Sequence, residues 1–104
     1  MEFKDLEKEI INTSKDYLQR YNLKMDDDFA LSKLYEEVGE LAQAILIHKK
    51  KCRPEKNLTF KESKKNRAKE LADIIGMVIV NANLLNIDLV EAIEKKWITK
   101  EWIK

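Results

Sequence analysis

Two short acidic stretches carry the residue types and spacings that can do chemistry: Glu36-Glu37-Val38-Gly39-Glu40 and Glu70-Leu71-Ala72-Asp73. Glu37 and Glu40 are three residues apart, as are Glu70 and Asp73, and on a helix residues three apart share a face about one turn from each other. One Glu-rich turn alone usually marks a solvated face. Two of them, each inside apolar sequence, point instead to four carboxylates drawn together. There, mutual repulsion and lost hydration must be relieved by protons or cations. An all-oxygen ligand set suits a hard divalent ion, Mg²⁺ first and Mn²⁺ second. Mg²⁺ held by carboxylates keeps positions for water and phosphate oxygens, so a nucleotide is the leading substrate class. Glu36 is turned by about 100° from Glu37. Its role stays open between a solvent residue, a support for a ligand and a general base.

Helices must position these groups. Phe3, Leu6, Ile10, Tyr17, Leu18 and Tyr21 recur at helical spacing and predict a helix over about residues 2–21. Asn22–Asp28 reads as a turn in which Asp26–Asp28 offer N-caps. A second helix is predicted from Phe29 to Lys49, with Leu31, Leu34, Val38, Leu41 and Ile45 in its apolar stripe and Glu37 and Glu40 along one edge. Residues 50–64 read as a polar, basic loop that Leu58 and Phe60 pin to the core. A third helix, Lys65 to Leu85, is apolar nearly all round, so Glu70 and Asp73 are expected to be enclosed. Covering such a helix in so small a chain calls for a second subunit. A fourth helix starts at Asp88, with Glu91 completing a capping box.

The whole chain sets bounds on these readings. Its 104 residues fit a single domain, 1–104. Gly 2 and Pro 1 exclude a turn-rich all-β fold and favour an all-α, four-helix-bundle-like one. The single cysteine, Cys52, excludes an internal disulfide, and with a charged Met1–Glu9 in place of a signal peptide it points to the cytoplasm. The longest apolar run, Ile74–Val80, is too short to span a bilayer, so no membrane partner is expected. The net charge of +1 conceals an asymmetry: −5 over residues 1–48, +8 over 49–69 and −2 over 70–104. The basic segment lacks interleaved aromatics apart from Phe60, which reads as a solvated loop more than a nucleic-acid surface. It also suits drawing polyanionic nucleotides towards the acidic residues.

The remaining polar candidates have plainer readings beside the functional ones. His48 falls at the C-terminal end of the second helix, where the dipole favours a cation. Cys52 lies between Lys51 and Arg53 but has no histidine or cysteine motif beside it. Asn81 shares a helix face with Glu70 and Met77 and suits either a substrate contact or an inter-helix hydrogen bond. Trp97 adjoins Lys96 and suits either base stacking or an interface.

The run Glu36-Glu37-Val38-Gly39-Glu40-Leu41-Ala42-Gln43-Ala44-Ile45, followed by Glu70-Leu71-Ala72-Asp73 and by Asn86-Ile87-Asp88-Leu89-Val90-Glu91-Ala92-Ile93, resembles the MazG-like nucleotide pyrophosphohydrolases. The family pattern is Glu-Glu-x-x-Glu, a spacer, then Glu-x-x-Asp, and the likeness covers about residues 30–100. It implies an all-α fold assembled as a homodimer or a dimer of dimers. It also implies Mg²⁺-dependent cleavage of a nucleoside triphosphate to a monophosphate and pyrophosphate, with a role in clearing non-standard or surplus nucleotides. By position it makes Glu37, Glu40, Glu70 and Asp73 metal ligands, Glu36 the leading glutamate and Lys96 a phosphate contact. Two departures stand out. The spacer from Glu40 to Glu70 is slightly long and strongly basic, and Lys100 replaces an asparagine usual in relatives. Two other function classes fit the residues: a non-catalytic helical module that binds metal, nucleotide or protein, and a nucleic-acid binder acting through residues 49–69.

Overall fold

Four helices follow one another along residues 1–103, the part of the chain that the computed structural model describes, and no strand occurs among them. They are α1 (Phe3–Arg20), α2 (Asp27–His48), α3 (Phe60–Leu84) and α4 (Leu89–Ile93). A single 3₁₀ turn, Pro54–Lys56, interrupts the α2–α3 connection, and α4 runs on into a wider turn, Glu94–Ile98. In that turn the Thr99 amide donates to the Glu94 carbonyl five residues back, at 2.8 Å.

Side-chain caps set the starts of α2, α3 and α4. Asp26 accepts from the Phe29 amide at 2.8 Å and opens α2. Thr59 and Glu62 form a reciprocal capping box: the Glu62 amide donates to Thr59 Oγ1 at 3.1 Å and the Thr59 amide to Glu62 Oε1 at 2.9 Å. That box starts α3 at Phe60, five residues ahead of the predicted Lys65, so Lys61 and Lys64 ride on the helix and not in the loop. Phe60 itself is 72% exposed and does not pin the loop to the core. Asp88 caps α4 through the Glu91 amide at 3.1 Å. The expected return contact is replaced by an ion pair of Glu91 with Lys95 at 2.8 Å.

The ends of the three long helices share one device. Asn22, Lys50 and Asn86 take left-handed backbone angles, with φ of 50°, 57° and 55°. The next amide in each case reaches back to a helix carbonyl: Leu23 to Leu18, Lys51 to Leu46 and Ile87 to Ala82, at 2.8–2.9 Å. Glycine is the usual residue for that position, and none is used here.

α2 and α3 pack as an antiparallel hairpin. His48 meets Ser63 near one end, with Nδ1 and Oγ 3.1 Å apart, and Asn81 meets Ala30 at the other. Small residues at the crossing, Ala30 and Ala44, are buried together with Ile79, Val80, Ala82 and the hydroxyl residue Ser63. α1 lies across α3, and α4 leaves α3 at a 113° bend. The single chain stays open in shape: its radius of gyration is 16.4 Å, against about 13 Å for a compact chain of this length. Much of the predicted apolar stripe is left at the surface, including Tyr35 (70% exposed), Val38, Leu71 and Ile75. No single helix among the described residues is long and apolar enough to cross a membrane.

Candidate metal centre

The antiparallel register of α2 and α3 brings the two acidic motifs face to face. Glu37 and Glu40 project from α2, Glu70 and Asp73 from α3, and one carboxylate oxygen of each lies within 4.8 Å of the others. Glu37, Glu40 and Glu70 are half-buried, whereas Asp73 is exposed. The expected enclosure of Asp73 is therefore not complete in one chain: its side chain borders the open cavity between α1, α2 and α3.

The electrostatics of this group are those of an anion cluster short of cations. Glu37 Oε2 and Glu70 Oε2 are shielded from solvent and find no hydrogen-bond donor among the described residues. Burial pushes the Glu37 carboxyl up to about 7, helped by a hydrogen bond shared with Glu40 and by the charges of Glu40, Asp73 and Glu70. Burial likewise raises Glu70, helped by the Glu40 carboxyl with which it shares a hydrogen bond and by the charges of Glu40 and Asp73; Lys69 pulls the other way. Buried carboxylate oxygens without donors are costly in the ionised form. A hard divalent cation satisfies several such oxygens at once, and a set of four carboxylates is a donor set that such an ion takes. The residues present therefore fit Mg²⁺ or Mn²⁺.

The other candidate residues divide by position. Glu36 stands outside the group, on the exposed side of α2, and pairs with Lys33 Nζ at 3.0 Å. Asn81 is already committed: its Nδ2 donates to the Ala30 carbonyl at 3.0 Å and to the Met77 carbonyl at 2.7 Å. The substrate contact expected of Asn81 thus gives way to the inter-helix hydrogen bond, because both donor positions face backbone carbonyls. Lys96, Trp97 and Lys100 lie beyond the bend after α3 and are not brought to the carboxylates within the chain. Trp97 is 72% exposed, and Lys100 takes a left-handed φ of 62°. His48 serves to bridge α2 to the buried Ser63.

Beside the carboxylates a cavity of about 590 Å³ opens between α1, α2 and α3. Glu37 and Asp73 form part of its wall, and Ile10, Tyr17, Met25, Phe29, Met77 and Val80 make it largely apolar. Lys33, Thr13 and Ser14 add polar groups. Sequence reasoning did not single out these α1 residues, since hydroxyls at ordinary helix positions carry no motif.

The family model for the MazG nucleotide pyrophosphohydrolase domain matches residues 27–100, which takes in both acidic motifs and the helices that hold them. No curated protein and no solved structure matches the chain.

Proposed function

The chain belongs to the MazG nucleotide pyrophosphohydrolase family, and on that basis we propose that it cleaves a nucleoside triphosphate to the monophosphate and pyrophosphate, using Mg²⁺ held by Glu37, Glu40, Glu70 and Asp73. The observation that carries this reading is the pair of shielded, donor-less oxygens of Glu37 and Glu70 inside a four-carboxylate group. No side chain among the described residues donates to either oxygen, and a divalent ion would satisfy both. Mn²⁺ is the natural substitute.

The roles of the side chains follow from their places. When bound, the ion would neutralise phosphate charge and lower the pKa of a water for in-line attack at phosphorus. Glu40, Glu70 and Asp73 hold and orient it from two rigid helices. Glu37, whose carboxyl burial raises to about 7 in the metal-free chain, shares the ion with them and gives up its proton as the ion binds. Glu36 holds Lys33 at the rim, at 3.0 Å, and keeps that cation near the mouth of the cavity. Lys96, Lys100 and Trp97 reach a substrate only through a second copy of the chain. The exposed apolar faces of α2 and α3 support a homodimer or dimer of dimers as the working form. A reducing cytoplasm suits the single Cys52, and clearing unwanted nucleotides is the role we assign. Replacing Glu37 or Glu70 with Gln keeps the shape and removes the charge. Each variant is expected to lose pyrophosphate release by a factor of about 10² or more. Either variant matching wild type would exclude the proposal.

A further inference from the structure

Gly76 occupies the middle of α3 without any local reason to be glycine. Its φ is not positive, so the backbone does not require it. A Cβ at this position would meet only Ile10 Cγ2, at 4.0 Å, which is ordinary van der Waals contact, so packing does not require it either. Within a helix, glycine costs stability relative to alanine because it loses more backbone freedom on folding. What Gly76 does is leave one wall of the 590 Å³ cavity bare, one turn along α3 from Asp73.

The cavity is suited to one end of a nucleotide only. Its carboxylate edge, Glu37 and Asp73, repels phosphate oxygens unless a divalent cation lies between them. Its apolar walls, which include Tyr17 and Phe29, favour an uncharged planar ring. Thr13 and Ser14 each carry a hydroxyl that can donate or accept towards a ring edge. Resting on the proposed activity, we infer that this cavity seats the base of the nucleotide and that Gly76 sets its width, admitting two-ring bases. A branched side chain at position 76 enters the space that the second ring needs, while a one-ring base still fits. Gly76 is in this account a specificity-determining residue, not a catalytic one.

The test is binding of hydrolysis-resistant purine and pyrimidine nucleoside triphosphate analogues with Mn²⁺, by calorimetry, to wild type, Gly76→Ala and Gly76→Val. Manganese binding alone and the helical circular dichroism spectrum report an intact centre and fold. Gly76→Val is expected to weaken purine analogues about tenfold or more, with pyrimidine analogues changed by less than about threefold on the same scale and Mn²⁺ affinity unchanged. Gly76→Ala, whose single added carbon the structure accommodates, is expected to shift the purine-to-pyrimidine ratio in the same direction by a smaller factor. Equal losses for both analogue classes, an unchanged ratio in both variants, or no purine binding by wild type would overturn the inference. Wild type that binds the analogues with the predicted shift, yet releases no pyrophosphate from true substrates, would overturn the proposed activity and leave the cavity assignment standing.

Discussion

At the scale of single residues, the centre is built of carboxylates placed where their charge is unwelcome. Glu37 titrates near 7 in the folded chain, against about 4.3 when unfolded, and Glu70 is raised in the same sense. Between those values the folded protein retains a proton that the unfolded chain has released. Stability of the metal-free protein must therefore fall as pH rises through that window. The melting temperature without metal is expected to be lower at pH 8 than at pH 5.5, and Mg²⁺ is expected to raise it more at pH 8, where fewer protons compete. Glu37→Gln should flatten the pH dependence and remove most of the metal response. A metal-free melting temperature that climbs from pH 5.5 to pH 8 would mean that the carboxylates do not interact as described. That Glu37, Glu40, Glu70 and Asp73 come together was legible from two i, i+3 pairs, each inside apolar sequence, whereas their role as ligands was implied only by the family resemblance. The pairing of Glu36 with Lys33 was not legible, because a motif does not say which of two adjacent glutamates turns outward.

At the scale of the elements, the antiparallel seam of α2 and α3 fixes the centre. Three polar contacts mark that seam in order: His48 with Ser63, the carboxylates, and Asn81 with Ala30. Asn81→Leu removes the cross-helix donor to the Ala30 carbonyl and is expected to cost about 1 kcal/mol, roughly 4–8 °C in melting temperature for a chain of this size. KM for a nucleotide substrate should stay within about twofold, since Asn81 only ties helices together and each 1.4 kcal/mol of lost binding would show as tenfold. A raised KM without loss of stability would return Asn81 to the substrate side. The existence of the three long helices followed from hydrophobic period. Their C-terminal ends, Arg20, His48 and Leu84, lie within one residue of the expected bounds, although the left-handed caps at Asn22, Lys50 and Asn86 carry no glycine to announce them. The start of α3 hides in a lysine-rich stretch, where only Thr59 and Glu62 mark the boundary. α4 was legible from Asp88, but its conversion into a wide turn at Glu94 leaves no trace in the hydrophobic pattern.

At the scale of the whole molecule, the chain is an open frame. A radius of gyration of 16.4 Å and exposed Tyr35, Leu71 and Ile75 describe a hairpin that has not closed a core by itself. The near-continuous apolar pattern of α3 already pointed to this from the sequence, since a helix apolar on all sides must be covered on all sides. Which faces remain uncovered could be seen only once α1 was placed across α3 and α4 was turned away. Size-exclusion chromatography with light scattering is expected to give at least twice the 12.3 kDa chain mass, and Leu71→Glu with Ile75→Glu should reduce it towards one chain and lower activity together. A stable, active single chain would refute the assembly. Pyrophosphate release from a panel of canonical and modified nucleoside triphosphates, with Mg²⁺ and with chelator, reads the proposed activity and its metal dependence together. Release is expected from some members with Mg²⁺ and from none with chelator; release that survives chelation, or none from folded, Mg²⁺-loaded protein, would contradict the proposed activity.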